Sequence, residues 1–337
     1  MSKIVITGAS GFIGFHLAKA LAQEGHEVTC LVRATTRADC LRALGVRLAE
    51  GDITDRASLA AAIRDHEIVF QLAGCLRALR TEQLYQVNED GVRNVAWACA
   101  SQPTPPVLVS VSSLAAVGPA TDRPRIESDP PAAVSHYGKS KWAGEQAVRQ
   151  WADRVPTTIV RPPIVFGQGD AATCQLFRPI ARFGIHVIPR WRDYRVSLIH
   201  ADDLVNLLIL AARQGKRLRR DAADDRAAAE GCYFAACEQD VTYLQLGRMI
   251  GAALGRRTWT VRSGPIVVWA LAAASAGWGW IHHRPAYFNM DKAREARAGS
   301  WTCSAAAAVR ELGFAVAAPL TARLHETAIW YREQHWL

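Results

Sequence analysis

Tyr137 and Lys141 stand four residues apart in Tyr137-Gly138-Lys139-Ser140-Lys141, downstream of Ser112-Ser113 and of Gly8-x-x-Gly11-x-x-Gly14. On a helix that spacing lets both side chains face one cleft. A phenol with an ordinary pKa of about 10 shuttles protons poorly at neutral pH. A nearby ammonium stabilises the phenolate and is expected to draw that pKa down. A serine at a strand end can fix a reacting oxygen by donating to it or accepting from it. Tyr137 as acid/base, Lys141 as its electrostatic partner and an orienting serine describe proton-coupled hydride transfer, given a hydride carrier.

The glycines provide a place for the carrier. Ile4-Val5-Ile6-Thr7 reads as a buried strand, and Gly8-Ala9-Ser10-Gly11-Phe12-Ile13-Gly14 leads from it into a helix over Phe12 to Glu24. The first glycine permits a tight turn, the next lets the backbone approach a pyrophosphate, and the third allows close helix packing, with the helix N-terminus facing the phosphates. An NAD site usually ends its second strand on an acidic residue that holds the ribose 2′-hydroxyl. Here that end reads Leu31-Val32-Arg33, with Arg37 four residues later. A guanidinium suits a 2′-phosphate, so the sequence favours NADP over NAD.

The elements that must hold these residues alternate. Strands are expected at Glu27 to Val32, Val46 to Ala49, Ile68 to Leu72, Val107 to Val111 and Thr157 to Val160, with helices over Ala57 to Arg64, Asn88 to Ala100 and Lys139 to Asp153. Six strands separated by helices describe an α/β protein with a Rossmann-type, doubly wound parallel sheet. After Arg161-Pro162-Pro163 the regularity falters. Residues 1–165 are therefore expected to bind the dinucleotide, with further core elements near 196–212, and residues 166–195 and 213–337 to form a smaller, mostly C-terminal substrate-binding lobe. Asp221 to Glu230, alanine and charges without an apolar stripe, reads as a surface excursion.

Composition narrows the class. The chain has 337 residues, 21% of them charged, and a net charge of +9. No basic run is interleaved with aromatics as a nucleic-acid groove requires, so nucleic acid is not an expected partner. Eight cysteines without Cys-x-x-Cys or zinc-like Cys/His spacing predict no metal site and reduced thiols in a cytoplasm. No basic and apolar leader opens the sequence. One run stands apart: Gly264 to Ile281 carries no charge and three tryptophans in eighteen residues. It can be a buried helix pair lining a substrate pocket, a patch touching the inner face of a membrane, or a short span.

Taken together these motifs resemble the extended short-chain dehydrogenase/reductases, the NAD-dependent epimerase/dehydratase family. Gly8-x-x-Gly11-x-x-Gly14, Gly51-Asp52-Ile53, Leu72-Ala73-Gly74, Asn88, Ser112-Ser113, Tyr137-x-x-x-Lys141, Arg161-Pro162-Pro163, His200-Ala201-Asp202-Asp203-Leu204 and Glu311-Leu312-Gly313-Phe314 with Trp330-Tyr331 fall in the family's order. The resemblance implies that Gly8, Ser10, Gly11, Phe12, Ile13 and Gly14 cradle the cofactor, that Asp52 and Ile53 border its adenine, and that Ala73 and Gly74 lie against its ribose. It also implies that Lys141 holds the nicotinamide ribose, that Pro162 precedes the loop over the nicotinamide, and that helix-paired homodimers form. Ser113 is preferred to Ser112 because the family's serine lies five residues before the glycine matched by Gly118; Ser112 stays open.

Two branches of the family compete for the substrate. The Val32-Arg33 ending and the greasy 264–281 segment resemble dehydrogenases of the 3β-hydroxysteroid and dihydroflavonol reductase type, which imply a hydrophobic secondary alcohol or ketone as substrate. Arg178, Arg182, Arg190, Arg192 and Arg195 ahead of His200 suit a nucleotide-sugar diphosphate, the mark of an epimerase or dehydratase. Arg195 lies five residues before the histidine, where that branch places its arginine four before. His200 itself reads as structural.

Overall fold

The computed structural model describes residues 1–220, 225–237 and 239–337. Its main sheet has seven strands: β1 (Lys3–Thr7), β2 (Glu27–Val32), β3 (Arg47–Glu50), β4 (Ile68–Gln71), β5 (Val107–Val111), β6 (Thr157–Arg161) and β7 (Cys232–Phe234). All are parallel, in the order β7-β6-β5-β4-β1-β2-β3. Such a sheet needs cover on both faces, and the strands supply alternating apolar side chains for it. Ile4 and Ile6 of β1 pack with Leu17 and Leu21 of α1 (Phe12–Gln23) and with Leu204, Leu207 and Leu208 from a helix at Ala201–Gln214. Val5 points the other way, into a layer with Leu59 and Ile63 of α2 (Arg56–Ile63), Val95 and Cys99 of α3 (Val92–Ala100), and Val148 of α4 (His136–Arg149).

Strand order reverses between β1 and β4, which opens a crevice at their C-terminal ends. Thr7-Gly8 meets Leu72-Ala73 there: the Ala73 amide donates to Thr7 Oγ1 at 3.2 Å. The ends of β5 and β6 deliver Ser112-Ser113 and Pro162 to the same edge of the sheet. A second core, with Phe166, Phe177, Leu246, Leu324 and Tyr331, holds the lobe built mostly from later residues. Tyr331 is fully buried and its hydroxyl donates to the Asp170 carbonyl at 2.6 Å.

Four expectations change. The sheet gains β7, which follows the 221–230 stretch and pairs Cys232 with Ile159 on β6. Of that stretch, residues 221–224 lie outside the described residues and Asp225–Ala229 forms a short helix. The helix expected from Lys139 starts at His136, because the Ser135 hydroxyl accepts from the Gly138 amide at 3.0 Å and caps it. The helix expected from Asn88 begins with a π-helical turn, Gln86–Gly91.

The fourth change concerns 264–281. It is one helix, Pro265–Ile281, not a buried pair, and only Val268, Ala272 and Gly279 on it are buried. Ile266 is 84% exposed, Trp278 69% and Trp280 72%. Among the described residues no helix is long and apolar enough to cross a membrane.

Candidate active site

The glycine turn leaves room for a phosphate-bearing ligand. Gly8 has φ +73°, and a Cβ on Gly14 would lie 2.2 Å from the Gly8 carbonyl oxygen and 2.7 Å from Ala9 Cα. Glycine at these positions is therefore a steric necessity, which lets α1 start hard against β1. Gly11 caps α1 without any side-chain hydrogen bond, so the first amides of the helix face outward with their partial positive charge. Ser10 and Gly11 are exposed, while Phe12 and Ile13 are half-buried beside them. These residues fit a dinucleotide pyrophosphate.

Arg33 is exposed at the end of β2, and neither it nor Arg37 makes an ion pair among the described residues. The Gly51 amide donates to the Val32 carbonyl at 3.0 Å, which brings Asp52 alongside Arg33 at the neighbouring strand end. The Asp52 carboxylate accepts from the Thr54 amide and hydroxyl, and Ile53 is buried against Gly91. Ala73 and Gly74 leave β4 toward the catalytic helix: a Cβ on Gly74 would lie 3.3 Å from Asn88 Oδ1 and 3.7 Å from Lys141 Nζ.

Tyr137 and Lys141 share the first turns of α4, and glycines set how closely that helix can approach its neighbours. A Cβ on Gly138 would lie 2.3 Å from the Ala115 carbonyl and one on Gly144 2.1 Å from the Asn88 carbonyl. The short helix Leu114–Val117, which Ser113 caps, and the π turn are thereby drawn onto α4. Asn88 is fully buried, accepts from the Cys75 amide and donates to the Cys75 carbonyl, both at 2.8 Å, and donates to Ser140 Oγ at 2.9 Å. Lys141 Nζ donates to the Val111 carbonyl at 2.7 Å, two residues before Ser113. The Pro162 carbonyl accepts from the Leu114 amide at 2.9 Å and anchors the loop after β6 beside Ser113.

The adjacent serines part company. Ser112 is buried and donates to Glu145 Oε1 at 2.5 Å. Glu145 in turn accepts from Arg161 Nε at 3.0 Å and Nη2 at 2.6 Å, with both side chains almost wholly buried. Ser113 Oγ accepts from the Ala115 amide at 3.1 Å and stands on the side of the Tyr137 phenol, whose pKa it draws down. Only Ser113 reaches the phenol.

The electrostatics correct one expectation. Burial pushes the Tyr137 phenol above its ordinary value; the neighbouring Ser113 hydroxyl pulls the other way, and the carboxylate of Glu295 adds to the rise. Lys141 does not reverse this, because its ammonium is turned to the Val111 carbonyl. Burial also lowers Lys141 to about 8, opposed by Glu145. The phenol is thus held protonated at neutral pH.

Three residues that the sequence pattern did not single out close over Tyr137. They lie on the helix Met290–Ala298. Asp291 Oδ2 accepts from the Tyr137 amide at 3.1 Å, Glu295 Oε1 accepts from Ser135 Oγ at 2.7 Å, and Lys292 Nζ sits 5.6 Å from the Tyr137 ring centroid. Their spacing is that of any solvated helix. His200 takes the structural place expected of it: Nδ1 accepts from the Asp202 amide at 3.3 Å, capping the helix Ala201–Gln214, and burial lowers its pKa.

The arginines ahead of His200 do not converge. Arg178 donates to the Trp336 carbonyl, while Arg182 and Arg190 lie over Phe183 and Tyr194. Arg195 instead joins Arg248, Asp240 and Gln245 around a cavity of about 720 Å³ that Ser113, Tyr137 and Lys141 do not line.

Comparison with known proteins agrees with this architecture. Residues 4–222 match the model of the NAD dependent epimerase/dehydratase family. The ceramide reductase of Caulobacter vibrioides is 30% identical over 334 residues, covering 99% of this chain and 96% of the relative. The 3β-hydroxysteroid dehydrogenase/Δ5→4-isomerase of Mycobacterium tuberculosis is 24% identical over 307 residues, 84% of this chain and 77% of the relative. Among solved structures, UDP-glucose 4-epimerase of Thermotoga maritima superimposes with a TM-score of 0.76 at 18% identity, covering 99% of each chain, and so shares the fold. With a seven-stranded Rossmann-type sheet, a glycine cradle at its switch point and that match over residues 4–222, the chain belongs to the NAD dependent epimerase/dehydratase family.

Proposed function

We propose that the protein is an NAD(P)-dependent oxidoreductase that interconverts a secondary alcohol and a ketone on a hydrophobic, lipid-like substrate. The observation that carries this reading is the grouping of Ser113, Tyr137 and Lys141 at the switch-point edge of the sheet. Residues 8–14, Asp52, Ile53, Ala73, Gly74 and Pro162 would hold the dinucleotide, with Lys141 at its nicotinamide end and Arg33 favouring the 2′-phosphate of NADP. Bound there, the nicotinamide supplies or accepts the hydride. In the reducing direction Ser113 orients the carbonyl oxygen and Tyr137 delivers its proton to that oxygen as hydride reaches the carbon, while Lys141, held by the Val111 carbonyl, keeps its ammonium at the nicotinamide end of the cleft. A buried, protonated phenol suits this direction.

The substrate class draws on two relatives whose names specify a ceramide and a 3β-hydroxysteroid, both apolar and both bearing a secondary oxygen. Division of labour follows: residues 1–165 with 196–212 bind the cofactor, and 166–195 with 213–337 bind the substrate. A second reading, a nucleotide-sugar epimerase using the same triad, draws on the Arg195 and Arg248 cavity. Purified protein with NADPH or NADH and a panel of keto-ceramides, 3-ketosteroids and nucleotide-sugars separates the two. Oxidation of reduced nicotinamide that requires a lipid ketone and vanishes in Tyr137→Phe supports the first. Turnover of nucleotide-sugars alone, with no net change in nicotinamide, sinks it.

A further inference from the structure

We propose that one continuous face of the lobe, formed by residues 183–191, residues 259–262 and the helix Pro265–Ile281, docks on an anionic lipid bilayer. A helix apolar all round is normally buried in a core or in a membrane. Pro265–Ile281 is apolar on every side, yet among the described residues its cover is slight: a small cluster of Val268, Ala272 and Ala293 with Trp269 and Phe288, and the Arg284 to Ala286 backbone over Gly279. It has seventeen residues, and no helix among the described residues can cross a bilayer. An uncharged helix neither covered nor long enough to span belongs in the plane of the interface.

The face extends beyond the helix. Strand Trp259–Arg262 pairs in parallel with Ile185–Ile188, and Val261 stands opposite Val187. Both are exposed, as is Trp259, while His186 and Ile188 point inward. Trp259 lies beside Gly184, next to exposed Phe183, and the Trp191 indole reaches Gly264 at the start of the helix. Trp191 and Trp259 thus stand beside the start of the helix and Trp278 and Trp280 are exposed at its far end, and tryptophan is the side chain that settles at the headgroup level.

Charge selects the kind of membrane. Between Asp240 and Asp291 there is no acidic residue and there are five arginines, at 248, 256, 257, 262 and 284. Arg182 lies over the exposed Phe183, and Arg190 and Arg192 flank the exposed Trp191 in the chain. A basic rim around an apolar face complements anionic headgroups, whereas two copies meeting face to face would set these arginines against each other. The helix then returns directly to Asp291, Lys292 and Glu295 over Tyr137, so a docked molecule holds its catalytic cleft near the lipid from which an apolar substrate would come.

Sedimentation of the purified full-length chain with vesicles tests the proposal without using turnover, so it stands or falls separately from the reaction assigned above. Binding to vesicles with about one-third phosphatidylglycerol is expected to exceed binding to pure phosphatidylcholine by about tenfold or more, and to weaken as salt rises from about 0.1 M to about 0.5 M. Trp278→Ser with Trp280→Ser removes exposed side chains only; it is expected to lower partitioning by about tenfold while the thermal midpoint stays put. Arg256→Glu with Arg257→Glu is expected to abolish the preference for the anionic vesicle. Absence of binding to either vesicle, or equal binding by wild type and both variants, overturns the proposal. So does a wild-type dimer that the tryptophan variant splits and vesicles leave untouched, which would make the face an interface between copies.

Discussion

Exchanging the two neighbouring serines one at a time should separate stability from catalysis. Ser112→Ala removes the hydroxyl that donates at 2.5 Å to the buried carboxylate of Glu145. Losing a hydrogen bond to a charged group costs about 1.5–3 kcal/mol of folding stability. Tyr137 is untouched, so kcat should stay within about threefold, under about 0.7 kcal/mol on the barrier. Ser113→Ala instead removes the hydroxyl beside the Tyr137 phenol that would orient the reacting oxygen, and loss of one such preorganised donor lowers kcat by about 10²–10³-fold, or about 2.7–4 kcal/mol. Its stability cost is that of a missing helix cap, about 0.5–2 kcal/mol. The low end of that range is expected, because Leu114 at the start of the same short helix is also tied to Pro162. Urea unfolding followed by tryptophan fluorescence gives the first quantity and steady-state turnover the second. If Ser112→Ala loses the hundredfold in kcat and Ser113→Ala loses only stability, the geometric assignment is wrong.

Three further outcomes follow. Removing one member of the buried Arg161–Glu145 pair, by Glu145→Leu or Arg161→Met alone, should cost about 3–5 kcal/mol in urea unfolding, while the double variant recovers most of it; additive losses would contradict the pairing. Lys141 has its folded pKa lowered from 10.5 to about 8, so its burial penalty is present below about pH 8 and is relieved as pH rises toward 10.5. Lys141→Met should then be more stable at about pH 7 by about 3 kcal/mol and lose that advantage by about pH 10.5; a pH-independent difference would refute the assignment, and wild-type kcat should fall above about pH 8 as the ammonium is lost. Arg33→Asp should move the KM ratio from NADPH toward NADH by about 10–100-fold, since a charge-assisted hydrogen bond is worth about 1.5–3 kcal/mol. An unchanged ratio would remove Arg33 from the 2′-phosphate.

What could be read from the sequence was what is local. Residues 4–23 announce strand, glycine turn and helix within one stretch, and the apolar strands from Glu27 to Arg161 carry their own pattern. β7 escaped because Cys232–Phe234 is three residues long and becomes a strand only by pairing with β6. Ser112 and Ser113 are indistinguishable by type; the pleat sends one toward Glu145 and leaves the other at a helix cap facing Tyr137. The direction of the Tyr137 shift depended on how deeply the phenol sits and on where the Lys141 ammonium points, neither of which is written in a four-residue spacing. Composition made 264–281 conspicuous, but whether a greasy helix is covered depends on what else packs there, and little does.

The central claim is that Tyr137 protonates the same carbonyl whose carbon receives a hydride from the cofactor. Incubation of the protein with a lipid ketone and NADPH deuterated at C4 of the nicotinamide, followed by mass spectrometry of the lipid, tests it most directly. The expected product is an alcohol carrying a single deuterium on its carbinol carbon, and none forms in Tyr137→Phe. A lipid ketone left unreduced by the wild type, beside a nucleotide-sugar inverted with its cofactor unspent, would contradict it.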